Sequence, residues 1–90
     1  MKTNAKVIDD FIHGIEFSEN KSLRVGTGAR KLFSYNTCIC QRVGDDNFYY
    51  NDTRYSNTTS KHQYLLRKAL EGFKNVITVT NIPINSLNLK

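Results

Sequence analysis

The residues best suited to chemistry stand together in one short stretch, YSNTTSKHQ, at residues 55–63. Its hydroxyl groups, imidazole and cation are the groups used in nucleophilic catalysis and in anion binding. A nucleophile must lie within hydrogen-bond reach of its base, whereas residues two apart on a helix, such as Ser60 and His62, do not face each other. No carboxylate lies near His62 in the sequence to orient it. We therefore expect no catalytic site here.

The same stretch carries a signal for the start of a helix. Ser60 followed by Gln63 is the S-x-x-Q form of a capping box, in which each side chain satisfies a backbone N–H group near the helix start. His62 then lies on the apolar side of the helix, where burial favours the neutral imidazole. We expect His62 to be a neutral core histidine bonded to a backbone group or a tyrosine; the alternative is contact with an anion or a partner.

Anion binding is a separate possibility at this helix start. Free N–H groups, hydroxyl groups and a lysine together suit a phosphate or a carboxylate. The candidate residues are Thr59, Ser60 and Lys61. The alternative is that Thr59 and Ser60 already occupy those N–H groups as caps.

A third pattern is a cationic surface that carries aromatic rings. Aromatic faces stack on bases while cations contact phosphates, which are the requirements of sequence-tolerant nucleic-acid binding. The alternative is that the tyrosines pack on a half-buried sheet. The candidate partner-binding or nucleic-acid-binding residues are Arg54, Lys61, Tyr64, Arg67 and Lys68.

The hydrophobic pattern predicts a single α+β domain over residues 1–90. A short amphipathic helix is expected at about 4–13, capped by Thr3 or Asn4 and stopped at Gly14. The strongest pattern is a second amphipathic helix at about 60–73, followed by a strand at about 75–80. The tail at 82–90 is expected to be loosely held.

Between the two helices the sequence predicts a three-stranded antiparallel meander. Its strands are expected at Leu32–Val43, Phe48–Tyr50 and Thr53–Ser56, with turn residues between them. The G-x-G at Gly26–Gly28 lacks the third glycine and the lysine of phosphate-binding fingerprints, so a plain turn is expected there.

The two cysteines, Cys38 and Cys40, are expected to be reduced and half-buried. Residues two apart on a strand point to the same face, with a geometry that suits a disulfide poorly. A lone C-x-C supplies half a zinc site at most, so neither a metal nor a cofactor is expected.

Charge is unevenly distributed along the chain. Residues 1–29 contain equal numbers of basic and acidic residues, so the whole net charge of +5 lies after residue 29. This asymmetry favours nucleic acid, a nucleoprotein complex or an acidic protein surface as the partner. No apolar run is long enough to span a bilayer, and MKTNAKVIDD becomes acidic where a signal peptide would turn apolar. A cytoplasmic location is therefore expected.

Two segments carry a family resemblance. KLFSYNTCICQR followed by NDTRYSNTTSKHQ resembles a group of small, largely uncharacterised proteins of tailed bacteriophages, over about residues 6–70. Those proteins pair a K-L-[FY]-S-Y strand with a Y-S-x-T-T-S-K-H-Q segment leading into a helix. Asn57 stands where that group has an apolar residue. The resemblance implies a phage setting, a bacterial host cell and a small α+β fold, and it carries over no catalytic residue.

From size, charge and resemblance we expect a non-enzymatic phage protein that binds and inhibits or diverts a host nucleic-acid-handling complex. An anti-CRISPR or another anti-defence inhibitor fits this description. The alternative is a module that binds DNA or RNA directly through its basic, tyrosine-bearing surface. A hydrolase centred on Ser60 or His62 is a remote third option. The sequence leaves the oligomeric state open.

Overall fold

The computed structural model describes residues 2–44 and 46–89, and the backbone alone of Thr27. It contains two α-helices and five strands, with 3₁₀ turns at Thr27–Ala29 and Leu70–Gly72. In chain order the elements are α1 (Asn4–Ile12), β1 (Leu23–Val25), β2 (Lys31–Ser34), β3 (Thr37–Arg42), β4 (Asn47–Asn51), α2 (Asn57–Ala69) and β5 (Asn75–Val79). The α+β class expected from the sequence is confirmed.

The five strands form one mixed sheet in the order β1-β2-β3-β4-β5. The first four strands pair antiparallel, whereas β5 pairs parallel with β4, with Asn51 opposite Val79 at one end. A parallel connection needs a crossover, and α2 provides it. Both helices contribute to the larger core cluster and therefore cover the same face of the sheet. Neither helix in the described residues has the length and apolar character that spanning a lipid bilayer requires.

The first helix and the last strand agree with their predicted positions. Thr3 caps α1 by accepting a hydrogen bond from the backbone N–H of Lys6 at 3.1 Å. Gly14 follows the helix with φ +77°, a conformation that favours glycine, so the chain turns there as expected. The predicted helix at 60–73 exists, but α2 begins at Asn57 and continues after Ala69 as the 3₁₀ turn that ends at Gly72.

The predicted meander is wrong in two places. The segment 32–43 is not one strand, because the chain reverses at Tyr35 and separates β2 from β3. Tyr35 has φ +56°, a conformation that a bulky residue rarely adopts. Residue 35 is neither glycine nor asparagine, so its type did not indicate the turn. Thr53–Ser56 is not a strand but an irregular connection to α2, and β1 was not predicted.

A bulge in β3 separates the two cysteines. Leu32 is opposite Cys40 and Phe33 is opposite Cys38, so Ile39 is an extra residue on β3. Cys40 packs in the core beneath the helices, and Cys38 packs with Phe33 on the other face. The expectation that both thiols share one face was therefore wrong. Both are reduced and fully buried, and burial raises the pKa of Cys38 to about 11.

Three phenylalanines from different elements meet in the main core. Phe48 on β4 contacts the ring of Phe11 on α1 edge-on at 6.0 Å between centroids, and the ring of Phe73 at 5.0 Å. The guanidinium of Arg42 lies 4.8 Å from the Phe48 ring and donates to the backbone oxygen of Phe11 at 2.6 Å. Arg42 therefore fastens the carboxyl end of α1 to β3, a favourable position for a cation.

The amino end of α1 is held by a buried carboxylate. Asp10 is almost fully buried and forms ion pairs with Lys2 and Lys6 at 2.8 and 2.9 Å. Ser18 donates a further hydrogen bond to it at 2.7 Å. The hydrogen bonds from Lys2, Ser18 and Lys6 hold the pKa of Asp10 well below its usual range. Lys2 and Lys6, near the amino end, therefore form ion pairs inside the fold.

The chain after β5 lies against the sheet face opposite the helices. Cys38 donates its N–H to the carbonyl of Ser86 at 2.8 Å, and Leu89 donates its N–H to the side chain of Gln41 at 3.0 Å. Leu89 is buried against Phe33. These contacts hold the C-terminal segment against the sheet. The expectation that residues 82–90 are loosely held concerns motion and stays a prediction. Lys90 lies outside the described residues.

The aromatic core gives a matched pair of stability predictions. Phe48→Ala should lower the free energy of unfolding by about 3–5 kcal/mol, because it removes a buried ring and leaves a cavity. Phe17→Ala should change it by less than about 0.5 kcal/mol, because the Phe17 side chain is 69% exposed. Urea denaturation of both variants measures the difference, and equal effects would contradict the packing described.

Candidate functional site: the start and exposed face of α2

The cap of helix α2 lies four residues before the predicted capping serine. Ser56 has extended backbone angles, and its side chain accepts a hydrogen bond from the N–H of Thr59 at 3.2 Å. Ser60 is inside the helix and donates its N–H to the carbonyl of Ser56. The predicted Ser60–Gln63 capping box is therefore wrong, because the preceding segment is irregular and lets the helix start at Asn57.

Gln63 connects α2 to the end of β4 instead. Its side-chain amide donates to the carbonyls of Asn51 and Thr53 at 2.7 and 3.0 Å. The hydroxyl of Tyr50 donates to the backbone oxygen of Gln63 at 3.1 Å. These bonds satisfy backbone groups that the irregular chain after β4 would otherwise leave unpaired.

His62 is fully buried, as expected, but its partners are hydroxyl groups. Nδ1 lies 2.7 Å from the Ser34 hydroxyl, and Nε2 lies 3.2 Å from the Ser22 hydroxyl. The ring of Tyr35 is a neighbour at 6.2 Å between centroids rather than a hydrogen-bond partner. Burial lowers the pKa of His62, so the neutral imidazole is favoured.

The hydrogen bonds around His62 form a continuous chain of hydroxyl groups that ends at the imidazole. Ser56 donates to the hydroxyl of Thr59 at 3.2 Å, and Thr59 lies 3.0 Å from the hydroxyl of Ser34. One arrangement that is consistent with these distances has Thr59 donating to Ser34 and Ser34 donating to Nδ1 of His62. In this arrangement the proton of the neutral ring is on Nε2, which donates to Ser22.

This network lacks two properties of a nucleophilic site. Ser34 is 1% exposed, and the group beside Nε2 of His62 is the hydroxyl of Ser22 rather than a carboxylate. A catalytic base needs a group that stabilises its charged form, and a neutral hydroxyl does this weakly. The arrangement instead joins β2 and the turn before β1 to the first turns of α2. Residues 2–44 and 46–89 contain no cluster of His, Cys, Asp and Glu side chains that could hold a metal ion.

The exposed side of α2 brings most of the predicted binding residues together. Arg54, Tyr64 and Arg67 line one open groove of about 330 Å³. Tyr64, Arg67 and Lys68 line an adjacent groove of about 250 Å³. Lys61 is exposed but lines neither groove. We call these five residues the α2 face.

Tyr64 is the central aromatic residue of the α2 face. Its side chain is 60% exposed, and the ammonium group of Lys68 lies 5.6 Å from its ring centroid. A cation at this distance is attracted to the ring face. The alternative expectation, that the tyrosine packs on the sheet, does not apply to Tyr64, because it is on the outer side of the helix.

The cations of the α2 face are not neutralised within the fold. None of Arg54, Lys61, Arg67 and Lys68 forms an ion pair with a carboxylate of the described residues. Two carboxylates do line the grooves: Asp52 shares the first groove with Arg54, and Glu71 shares the second with Lys68. The surface is therefore predominantly but not uniformly cationic.

The structure separates the three residues of the candidate anion site. Thr59 is buried and bonded to Ser34 and Ser56. Ser60 lines the groove beside Arg54, and Lys61 projects into solvent. The helix start on which the site was based also lies at Ser56. Anion binding by Thr59, Ser60 and Lys61 stays a prediction.

Sequence reasoning missed the residues that hold His62 in place. Ser22 and Ser34 are 40 and 28 residues away from it in the chain, so no local spacing indicates the contact. A partial signal exists, because a buried polar side chain requires partners and serines on neighbouring strands can supply them.

Capping gives one test of this site. Ser56→Ala should cost about 1 kcal/mol of stability, because the N–H of Thr59 loses its side-chain partner. Ser60→Ala should change stability by less than about 0.5 kcal/mol, because Ser60 is in the helix interior. Thermal or urea unfolding measures both, and a larger cost for Ser60 would restore the rejected capping box.

His62 gives a prediction about pH. Its folded-state pKa is below the unfolded value, so its contribution to stability is present above about pH 6.5 and is lost as the pH falls through this value. Between pH 7 and 5 the free energy of unfolding should change with pH by no more than about 1.4 kcal/mol per pH unit for this one proton. The low pKa of Asp10 acts in a separate window, as the pH falls below about 4.

The measurement is urea denaturation at several pH values for three proteins. Relative to wild type, His62→Asn should reduce the slope between pH 7 and 5, at a lower overall stability. His13→Asn removes the exposed histidine and is the matched control for the loss of an imidazole; its slope should stay steeper than that of His62→Asn. An unchanged slope in His62→Asn would refute the assignment.

Comparison with known proteins identifies a family for most of the chain. Residues 3–80 match the model of a family described as a family of unknown function, DUF8033. No curated protein and no solved structure matches the chain. The matched region includes both helices and all five strands, and the α2 face lies within it. The chain therefore belongs to the DUF8033 family.

Proposed function

We propose that this protein is a non-enzymatic binding protein that uses the α2 face to engage a host nucleic-acid-handling complex. The observation that carries the proposal is the set of cations around the exposed ring of Tyr64, none of which is paired with a carboxylate of the described chain. Lys2 and Lys6, in contrast, are both paired with Asp10. Unpaired cations beside an aromatic ring fit an anionic partner.

The two acidic residues of the grooves favour a complex over bare nucleic acid. Asp52 and Glu71 would repel a phosphate backbone that lay along the groove floor. A protein or nucleoprotein surface can present cations to these carboxylates and anions to Arg54 and Arg67. Such alternation gives specificity and register in protein interfaces.

The anti-defence part of the proposal has different support. The segments KLFSYNTCICQR and NDTRYSNTTSKHQ resemble proteins of tailed bacteriophages, and a domain of 90 residues can inhibit a host complex by occupying its surface. A cytoplasmic site of action follows from the same proposal. The inhibited complex would be a CRISPR or restriction system, and blocking it requires no chemistry by the inhibitor.

The test is capture of partners from host lysate with and without nuclease. Wild-type protein and Lys21→Glu, which makes the same charge change as Arg67→Glu on another exposed part of the surface, should recover the same complex. Arg67→Glu should reduce recovery at least tenfold, because Arg67 lines both grooves of the α2 face. Equal recovery by the two variants, or no specific partner, would refute the proposal.

Direct nucleic-acid binding is the second candidate, and the Lys68–Tyr64 arrangement favours it. Tyr64→Ala should weaken binding to a single-stranded oligonucleotide by about 1–3 kcal/mol, because a base loses its stacking partner. Phe17→Ala removes another exposed ring and is the control. Fluorescence anisotropy at several salt concentrations measures both. Lys68→Gln should lower the salt slope by about one.

A further inference from the structure

A second basic concavity lies on the opposite side of the sheet from α2. Arg24, Arg30 and Lys31 line it together with Gly26 and Phe33, and its volume is about 360 Å³. Phe33 packs in the cluster on the sheet face away from the helices, which fixes the side on which the concavity opens. We call it the β1–β2 basin.

The β1–β2 basin is lined by three cations and by no carboxylate. None of the three forms an ion pair within residues 2–44 and 46–89. Glu19 is opposite Arg24 through an isolated bridge, so it is a neighbouring carboxylate by register, but it is not part of the lining. The basin therefore lacks the groove acids that Asp52 and Glu71 supply on the α2 face.

Two of the cations are held in position. The guanidinium of Arg24 lies over the ring of Phe33, 4.4 Å from its centroid, and Arg24 is directly opposite Phe33 in the β1–β2 pairing. Lys31 donates a hydrogen bond to the side chain of Asn88 in the C-terminal segment. A stacked guanidinium retains its N–H groups for a ligand, and less side-chain freedom is lost on binding.

Glycine at position 26 allows the backbone to lie close to the Phe33 ring. A Cβ atom on Gly26 would come within 3.2 Å of the Phe33 ring, so glycine lets the chain approach the ring that supports Arg24. The G-x-G that lacks a phosphate-binding fingerprint thus borders a basic concavity through its first glycine. The sequence pattern gave no such indication, because the cations come from both sides of the loop.

We propose that the β1–β2 basin binds a phosphate group carried by a nucleotide, a nucleic-acid strand or a free polyphosphate. Guanidinium groups match phosphate oxygens in pairs, and three cations exceed the roughly one to two negative charges that such a group carries. Arg24 and Arg30 bind the phosphate oxygens, and Lys31 supplies a further positive charge beside them. This inference does not rest on the proposed function, since it uses none of the α2-face residues.

The test is an NMR titration of the ¹⁵N-labelled protein at constant ionic strength. One arm uses sodium pyrophosphate, the other a ten-nucleotide dT strand, and sodium chloride at matched ionic strength is the reference. Saturable shifts at Gly26, Arg30 and Lys31 are expected from at least one probe. Response to pyrophosphate identifies a small phosphate ligand, and response to the strand alone identifies a nucleic-acid backbone.

Variants connect the shifts to the basin. Arg30→Gln should weaken binding about tenfold or more, because a charge-assisted hydrogen bond is lost. Arg30 is exposed, so the substitution should leave the fold intact. Glu19→Gln should strengthen it a few-fold by removing a neighbouring negative charge. Lys74→Gln, at an exposed lysine that lines neither the basin nor the grooves of the α2 face, is the matched control and should leave pyrophosphate affinity unchanged. Absence of saturable shifts with both probes, or equal loss in Lys74→Gln, would overturn the proposal.

The NMR test of the β1–β2 basin and the partner-capture test of the α2 face can succeed or fail independently. Basin shifts in Arg67→Glu, together with lost partner capture, would support both assignments. Loss of the shifts in Arg30→Gln with partner capture retained would place phosphate binding in the basin and leave the α2 face to the host complex.

Discussion

The side-chain bonds behind the first turns of α2 determine what the rest of the surface presents. Gln63 donates to two carbonyls at the end of β4, and one residue earlier His62 contacts the hydroxyls of Ser34 and Ser22. Because these two consecutive residues point inward, the orientation of α2 about its own axis is fixed. Lys61 and Tyr64, on either side of them, must then face solvent. The polar interior and the cationic exterior of α2 are two results of the same orientation.

This orientation also explains why the sheet is mixed. The irregular chain after Asn51 ends at the Ser56 cap, and α2 then crosses the sheet to place β5 parallel to β4. Gln63 binds one carbonyl at the last residue of β4 and one in the irregular chain, so the carbonyls of Asn51 and Thr53 are paired where the crossover begins. Phe48 and Phe73 then meet beneath the end of the helix, and β5 follows directly. Polar bonds at one end of α2 and aromatic packing at the other hold the crossover.

Elements with strong periodicity could be predicted from the sequence, and elements defined by pairing could not. The apolar arcs of α1 and α2, the Thr3 cap and the final strand follow from local patterns. The reversal at Tyr35 and the bulge at Ile39 do not, because tertiary pairing imposes a backbone conformation that local preference does not favour. The exposed residues of the α2 face were found because they share a helix surface. The partners of His62 were missed because strand register, which sequence specifies poorly, brings Ser22 and Ser34 to it.

Net charge alone gives an incomplete account of this surface. Arg42 contributes to the basic half of the chain, yet its guanidinium stacks on Phe48 and binds the carboxyl end of α1. Arg24, in contrast, comes from the half with no net charge and belongs to the β1–β2 basin. The fold therefore places some cations in structural contacts and others at the surface, whatever part of the sequence they come from. It presents two basic surfaces on opposite faces of one sheet, one with acidic residues and a helix-borne tyrosine, the other lined by cations around a supporting ring. Surfaces that differ in this way suit ligands of different charge pattern, so a mixed-charge complex on the α2 face and a phosphate in the basin are compatible in one small domain.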